Sequence, residues 1–84
     1  MYYTYVLLSE SDGKFYTGFT NDLKQRIEQH NKGYVESTNN RIPLKLIYYE
    51  ACVDRNDALK REKYLRSYHD KQFLYKRLNS YLTG

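Results

Sequence analysis

Two short aromatic and aliphatic runs, Tyr2 to Leu8 and Lys14 to Phe19, stand on either side of Ser9 to Gly13. Such runs suit strands, and Asp12-Gly13 supplies favoured turn chemistry between them. A connection this short joins antiparallel neighbours, so the chain is expected to open with a β-hairpin. With Leu8 paired to Gly13 across a four-residue loop, Tyr5 lies opposite Tyr16 and Gly18 opposite Tyr3. Both phenols then project from one face, and a one-residue slip would part them.

The remaining chain is organised around this hairpin. Thr20 or Asn21 caps a first helix, with Asp22 in its first turn. Leu23 and Ile27 form its apolar stripe, and Arg26 and His30 repeat the four-residue spacing on an adjoining face. The helix ends near Asn31-Lys32-Gly33, where glycine can take a positive φ. Tyr34 to Ile42, polar around Ser37-Thr38-Asn39-Asn40, is expected to be an irregular, mobile loop. Leu44 to Glu50 is strand-like. Asp54 caps a second helix, supported by Asp57 three residues on, with Ala58, Leu59 and Leu65 on its apolar side. Ser67-Tyr68-His69-Asp70 is expected to break it, and Phe73, Leu74, Leu78 and Tyr81 mark a third helix. The fold class is therefore α+β: a three-stranded antiparallel sheet flanked by helices, in the order β-β-α-β-α-α.

Eighty-four residues are expected to form one domain, 1–84, that buries only about 60–65% of the surface its unfolded chain exposes. The eleven tyrosines, with no tryptophan beside them, suit the rim of a small core, rings inward and hydroxyls wet. The net charge of +4 is unevenly placed: Lys60, Arg61, Lys63, Arg66, Lys71, Lys76 and Arg77 lie close together, with only Glu62 and Asp70 among them. That concentration suits a polyanion such as DNA or RNA, or simply a solvated helical face. The lone Cys52 cannot close an internal disulfide, and a reducing, cytoplasmic compartment is expected. No apolar run is long enough for a targeting core or a membrane span.

Glu62 lies on the stripe that should meet the sheet, four residues after Ala58 and three before Leu65. A carboxylate there needs a partner, because burying its charge alone costs several kcal/mol. It either pairs with an arginine such as Arg26 or Arg66, or lines a cleft and binds a divalent metal. Arg26, taken by itself, is a solvated helical arginine or half of an (i, i+4) pair with Asp22.

The ordered set Tyr5, Tyr16, Gly18, Arg26, His30 and Glu62 resembles the GIY-YIG nuclease family. Tyr3-Thr4-Tyr5 is similar to its first signature and Tyr16-Thr17-Gly18, eleven positions on, to its second. The likeness spans roughly Tyr2 to Leu65 and is closest to the short stand-alone bacterial members. It implies an endonuclease hydrolysing phosphodiester bonds, more in DNA than in RNA, with Mg²⁺ (or Mn²⁺) as cofactor. Glu62 would hold the metal. Arg26 would bind the scissile phosphate and offset its developing charge. Tyr16 would orient or deprotonate water, Tyr5 would position water or phosphate, and His30 would support them. A phenol is a weak base at neutral pH unless nearby positive charge favours its ionised form. Where some relatives carry a lysine three positions after the second tyrosine this chain has Phe19, and Lys14 is the substitute expected. Lys14, Lys71, Lys76 and Arg77 are the candidate nucleic-acid contacts, dominated by phosphate and hence by salt. A partner protein could supply specificity. The alternatives are a non-catalytic nucleic-acid-binding module on the same fold and a protein-docking domain.

Overall fold

The structure is a computed structural model that describes the backbone of residues 1–84 and all side chains except those of Tyr68 and His69. Strands β1 (Tyr2–Ser9), β2 (Phe15–Thr20) and β3 (Leu44–Cys52) form one antiparallel sheet in the order β2-β1-β3. Helix α1 (Leu23–Asn31) follows the hairpin, and helix α2 (Arg55–Tyr64) follows β3. A π-helical segment, Leu65–His69, leads into α3 (Asp70–Arg77) and a last short helix, α4 (Asn79–Thr83). The order and the α+β class are those expected from the sequence.

The hairpin register differs from the expected one. Tyr5 pairs with Gly18 and Leu7 with Tyr16, so Gly18 does not face Tyr3. The ladder runs one pair further because Ser9 still pairs with Lys14, its N–H donating to the Lys14 carbonyl at 3.0 Å. The Ser9 hydroxyl meanwhile accepts from the N–H groups of Ser11 and Asp12, and Gly13 turns the chain at φ 71°. The displacement is even, so Tyr5 and Tyr16 keep the same face.

The sheet is covered on both sides. On one face Tyr5, Leu7 and Leu44 form a buried core, against which Tyr16, Leu46 and the α1 residues Leu23 and Ile27 pack. On the other, the Thr4 hydroxyl donates to the Ala58 carbonyl at 2.8 Å, fixing α2 beneath β1. Ala58, Leu65 and Leu74 are buried there, and Phe73 meets Tyr48 edge-on at 5.4 Å.

Local chemistry sets the helix ends. Asp22, rather than Thr20 or Asn21, is the α1 cap and accepts the Gln25 N–H at 3.2 Å. Thr20 instead braces the turn, its hydroxyl accepting the Asp22 N–H. Gly33 follows the helix at φ 79°. Asp54 caps α2 as expected, accepting the Asp57 N–H at 3.0 Å. The expected break after α2 is the π-helical segment, where Ser67 leaves helical geometry at ψ −172°; the side chains of Tyr68 and His69 within it lie outside the described residues. The third helix is divided at Leu78, and Tyr81 falls on α4, half exposed.

Residues 34–42 hold no helix or strand, as expected, but they run as turns that bury Val35 and Thr38. Arg41 pins the segment to the hairpin, pairing with Asp12 at 2.8 Å and donating to the Lys14 and Phe15 carbonyls. Asn31 holds the start of β3: its side-chain amide bonds both the N–H and the carbonyl of Leu44.

Candidate active site

The α1 face of the hairpin carries a buried polar chain. Tyr5 is fully buried, and its hydroxyl lies 2.8 Å from His30 Nε2. His30, also fully buried, places Nδ1 2.7 Å from the Thr38 hydroxyl, which reaches on to the Val35 carbonyl. One proton arrangement satisfies every atom: Tyr5 O–H donates to Nε2, Nδ1–H donates to Thr38, and Thr38 O–H donates to Val35. Tyr16 sits against the same imidazole, its ring centroid 5.2 Å away, and its hydroxyl accepts from Ser37 at 3.4 Å.

Gly18 makes this packing possible. The Tyr5 ring lies across it so closely that a Cβ there would fall 2.4 Å from the ring's Cζ and hydroxyl oxygen. The register supplies the reason, since Gly18 is the direct cross-strand partner of Tyr5.

Arg26 on α1 and Glu62 on α2 both act electrostatically on this phenol. Burial pushes the Tyr5 pKa above its ordinary value. The Arg26 guanidinium pulls it back, by hydrogen bonding and by charge, while Tyr16 and Glu62 add to the rise. Tyr5 is thus electrostatically coupled to three of the four other site residues expected from sequence and hydrogen-bonded to the fourth, His30. Arg26 is half-buried and also donates to Gln29 at 3.3 Å. Burial, followed by the charge of Arg26, lowers the His30 pKa to about 4, so the imidazole is neutral at pH 7.

Glu62 is paired with Arg66, one turn on, at 2.9 Å. Its side chain is only 14% exposed, whereas that of Arg66 is 58% exposed. Only Oε2 is engaged; Oε1 has no hydrogen-bond partner among the described residues. No group of three or more His, Cys, Asp or Glu side chains suited to a metal occurs among the described residues. Glu62 is a largely buried carboxylate that acts on Tyr5, and a divalent ion that keeps most of its waters needs only one or two carboxylates from the protein.

The expected nucleic-acid contacts do not join this cluster. Lys14 is exposed beside the hairpin turn. Lys71, Lys76 and Arg77 are exposed on α3, across the sheet, where Lys76 and Arg77 flank Phe73. Sequence reasoning missed Thr38 and Ser37, whose hydroxyls meet His30 and Tyr16. The only signal was a polar cluster, which reads equally well as a solvated turn.

The family model described as the GIY-YIG catalytic domain matches residues 1–79. The chain is 48% identical over 62 residues to a UPF0213 protein of Lacticaseibacillus paracasei, covering 73% of this chain and 68% of that one. It is 40% identical over 68 residues to a UPF0213 protein of Haloquadratum walsbyi, covering 79% and 76%. It is also similar to the solution NMR structure of a UPF0213 protein from Bacillus halodurans, with a TM-score of 0.56, 31% identity, and coverage of 90% of this chain and 84% of that one. Among the described residues no helix is long and apolar enough to cross a membrane. With this match over nearly its whole length, and Tyr5, Tyr16, Gly18, Arg26, His30 and Glu62 drawn around one phenol, the chain belongs to the GIY-YIG family of nucleases.

Proposed function

We propose that this chain is a small divalent-metal-dependent endonuclease that hydrolyses phosphodiester bonds in DNA, acting as a single catalytic domain. The observation that carries the reading is the setting of Tyr5, where a second phenol, a guanidinium and a carboxylate all act on one buried hydroxyl. Such groups have no structural need of one another. Among the described residues Arg26 has no carboxylate partner, which leaves its charge available to an anion.

In this reading Arg26 binds two oxygens of the scissile phosphate and stabilises the charge that builds there. Tyr16, less buried than Tyr5, faces the reacting centre and orients or deprotonates the attacking water. Tyr5 has a raised pKa and is bonded to His30, so it suits positioning rather than proton abstraction. His30 stays neutral and holds the Tyr5 hydroxyl in place. Glu62 Oε1 is the protein ligand for Mg²⁺ or Mn²⁺, which supplies Lewis-acid charge and an acidified water when bound. Lys14, Lys71, Lys76 and Arg77 make outlying phosphate contacts, and a partner protein adds specificity.

A non-catalytic nucleic-acid-binding module is the competing reading, favoured by the Glu62–Arg66 pair, which occupies one oxygen of the metal ligand. One experiment separates the two. Supercoiled and branched DNA are incubated with Mg²⁺ or Mn²⁺ and the wild type, Arg26→Ala or Glu62→Gln. The nuclease reading expects wild-type cleavage, a fall of about 10²–10³-fold without Arg26, and loss of metal-dependent turnover without Glu62. Equal cleavage by all three would point to a contaminant and end it; salt-sensitive binding with no turnover by any would establish the competitor.

A further inference from the structure

β2 and β3 are the edges of the sheet, and a recess lies beside β2. This groove, about 430 Å³, runs between the start of α1 and the start of α2, lined by Tyr2, Phe19, Gln25, Arg26, Gln29 and Arg55, with Asp22 also in its lining. Arg26 belongs both to this groove and to the environment of Tyr5. Arg26 thus links the groove to the Tyr5 hydroxyl.

We propose that this groove holds the DNA strand next to the cleaved bond, and that Arg55 binds the neighbouring phosphate. The inference rests on the nuclease reading only for its geometry, with the scissile phosphate on Arg26.

Three observations carry it. First, Arg26 and Arg55 face one groove, and neither has a carboxylate partner among the described residues. Two guanidinium groups on one groove repel, an arrangement that an anion between them relieves. The one acid present, Asp22, is directed to the Gln25 N–H as a helix cap. Second, the wall is aromatic: Tyr2 and Phe19 stack at 6.1 Å with their planes 8° apart, and the Arg55 guanidinium sits 5.6 Å above the Phe19 ring. That contact holds a long, exposed side chain at the groove while leaving its N–H donors free at the rim. Third, the volume falls within the range of small-molecule sites, far more than one phosphate ion fills. Cations for phosphate beside an aromatic shelf for sugar or base is the chemistry of a nucleotide strand.

Arg55 would thus set where the strand lies, not the rate of the chemical step. A free phosphate or a mononucleotide shares the same recognition chemistry, and the test separates these sources. Binding is measured without metal, in EDTA, by anisotropy of a labelled twelve-nucleotide DNA strand across a salt series. The proteins are wild type, Arg55→Ala, Arg55→Lys and, as a control outside the groove, Lys32→Ala. The expected result for Arg55→Ala is a five- to tenfold weaker Kd at low salt and a log–log salt slope reduced by about 0.7. Arg55→Lys should restore most of the slope, and Lys32→Ala should change Kd less than twofold. An Arg55→Ala protein with wild-type Kd and slope would overturn the proposal. So would inorganic phosphate or a mononucleotide displacing the strand at equal phosphate concentration, since that marks a small-anion site. Because no turnover is read, a failed cleavage assay leaves this result intact. Where cleavage is found, Arg55→Ala should raise KM with kcat nearly unchanged, and the reverse split would contradict a purely positioning role.

Discussion

The two faces of the sheet bury polar groups in different ways. Beneath α2 and α3 the charges are closed on themselves. Arg61 pairs with Glu50 at 3.0 Å, Tyr48 donates to the same carboxylate, and Arg61 lies 4.6 Å above the Phe73 ring. Arg61, Glu50 and Tyr48 each have a complement in this network, which joins α2 to β3. Beneath α1 the polar chain from Val35 through Thr38 and His30 to Tyr5 is complete at one end only. At the other, among the described residues, stand Arg26 without a carboxylate and Glu62 with one oxygen unengaged. A satisfied network contributes to stability and uniqueness of the fold. One that ends on unmatched charge keeps capacity for something from outside. The first face thus holds the fold together, and the second is the face on which the proposed function places a ligand.

Substitutions on the two faces should therefore separate activity from stability. The largest effect is expected for Arg26→Ala: cleavage falls about 10²–10³-fold while the thermal midpoint stays within a few degrees. Parallel loss of both would make Arg26 a structural residue and erase the contrast. Gly18→Ala should strike both properties. The added Cβ must displace the buried Tyr5 ring, at a cost of about 1–3 kcal/mol, visible as a lower denaturant midpoint.

Acid should reach the α1 face through His30. Its folded pKa of about 4 lies below the ordinary 6.5, so the unfolded chain takes up the proton first. Stability should fall as pH drops from about 6.5 towards 4, by on the order of 3 kcal/mol, and this contribution should level off below. Chemical denaturation at stepped pH, with His30→Gln lacking the decline between 6.5 and 5, checks it. On the other face, Arg61→Met should cost about 1 kcal/mol or less, because the pair is partly exposed, and leave cleavage within twofold. The smallest effect is expected for Thr17→Val. The Thr17 hydroxyl is buried without a partner among the described residues, so losing it should be neutral or slightly stabilising in thermal melts.

What was legible in the sequence follows from how local each determinant is. The order of elements is written in alternation, helical spacing and the Asp54 cap. The shared face of Tyr5 and Tyr16 survived an error in register because that error was even. The register itself depended on Ser9, which bonds the turn through its hydroxyl while still pairing through its backbone. Glu62 stood out as an acid on an apolar stripe, and Arg66 was foreseen as one possible partner. Thr38 and the Arg55–Arg26 groove were not legible. Each depends on segments far apart in the chain meeting at one point, which no spacing encodes. The α3 lysines show the opposite failure: charge density marks a surface but not which side of the sheet it occupies.

The proposed function turns on Tyr5, Tyr16 and Arg26 serving one phosphodiester beside a divalent ion on Glu62. A titration of the isotopically labelled protein with Mn²⁺, followed by NMR line broadening, reads that arrangement directly. Broadening centred on Glu62 and extending to Tyr5, Tyr16 and Arg26, and abolished by Glu62→Gln, is the expected result. Broadening centred on another acid such as Asp12 or Asp54, or unchanged in Glu62→Gln, would contradict the account.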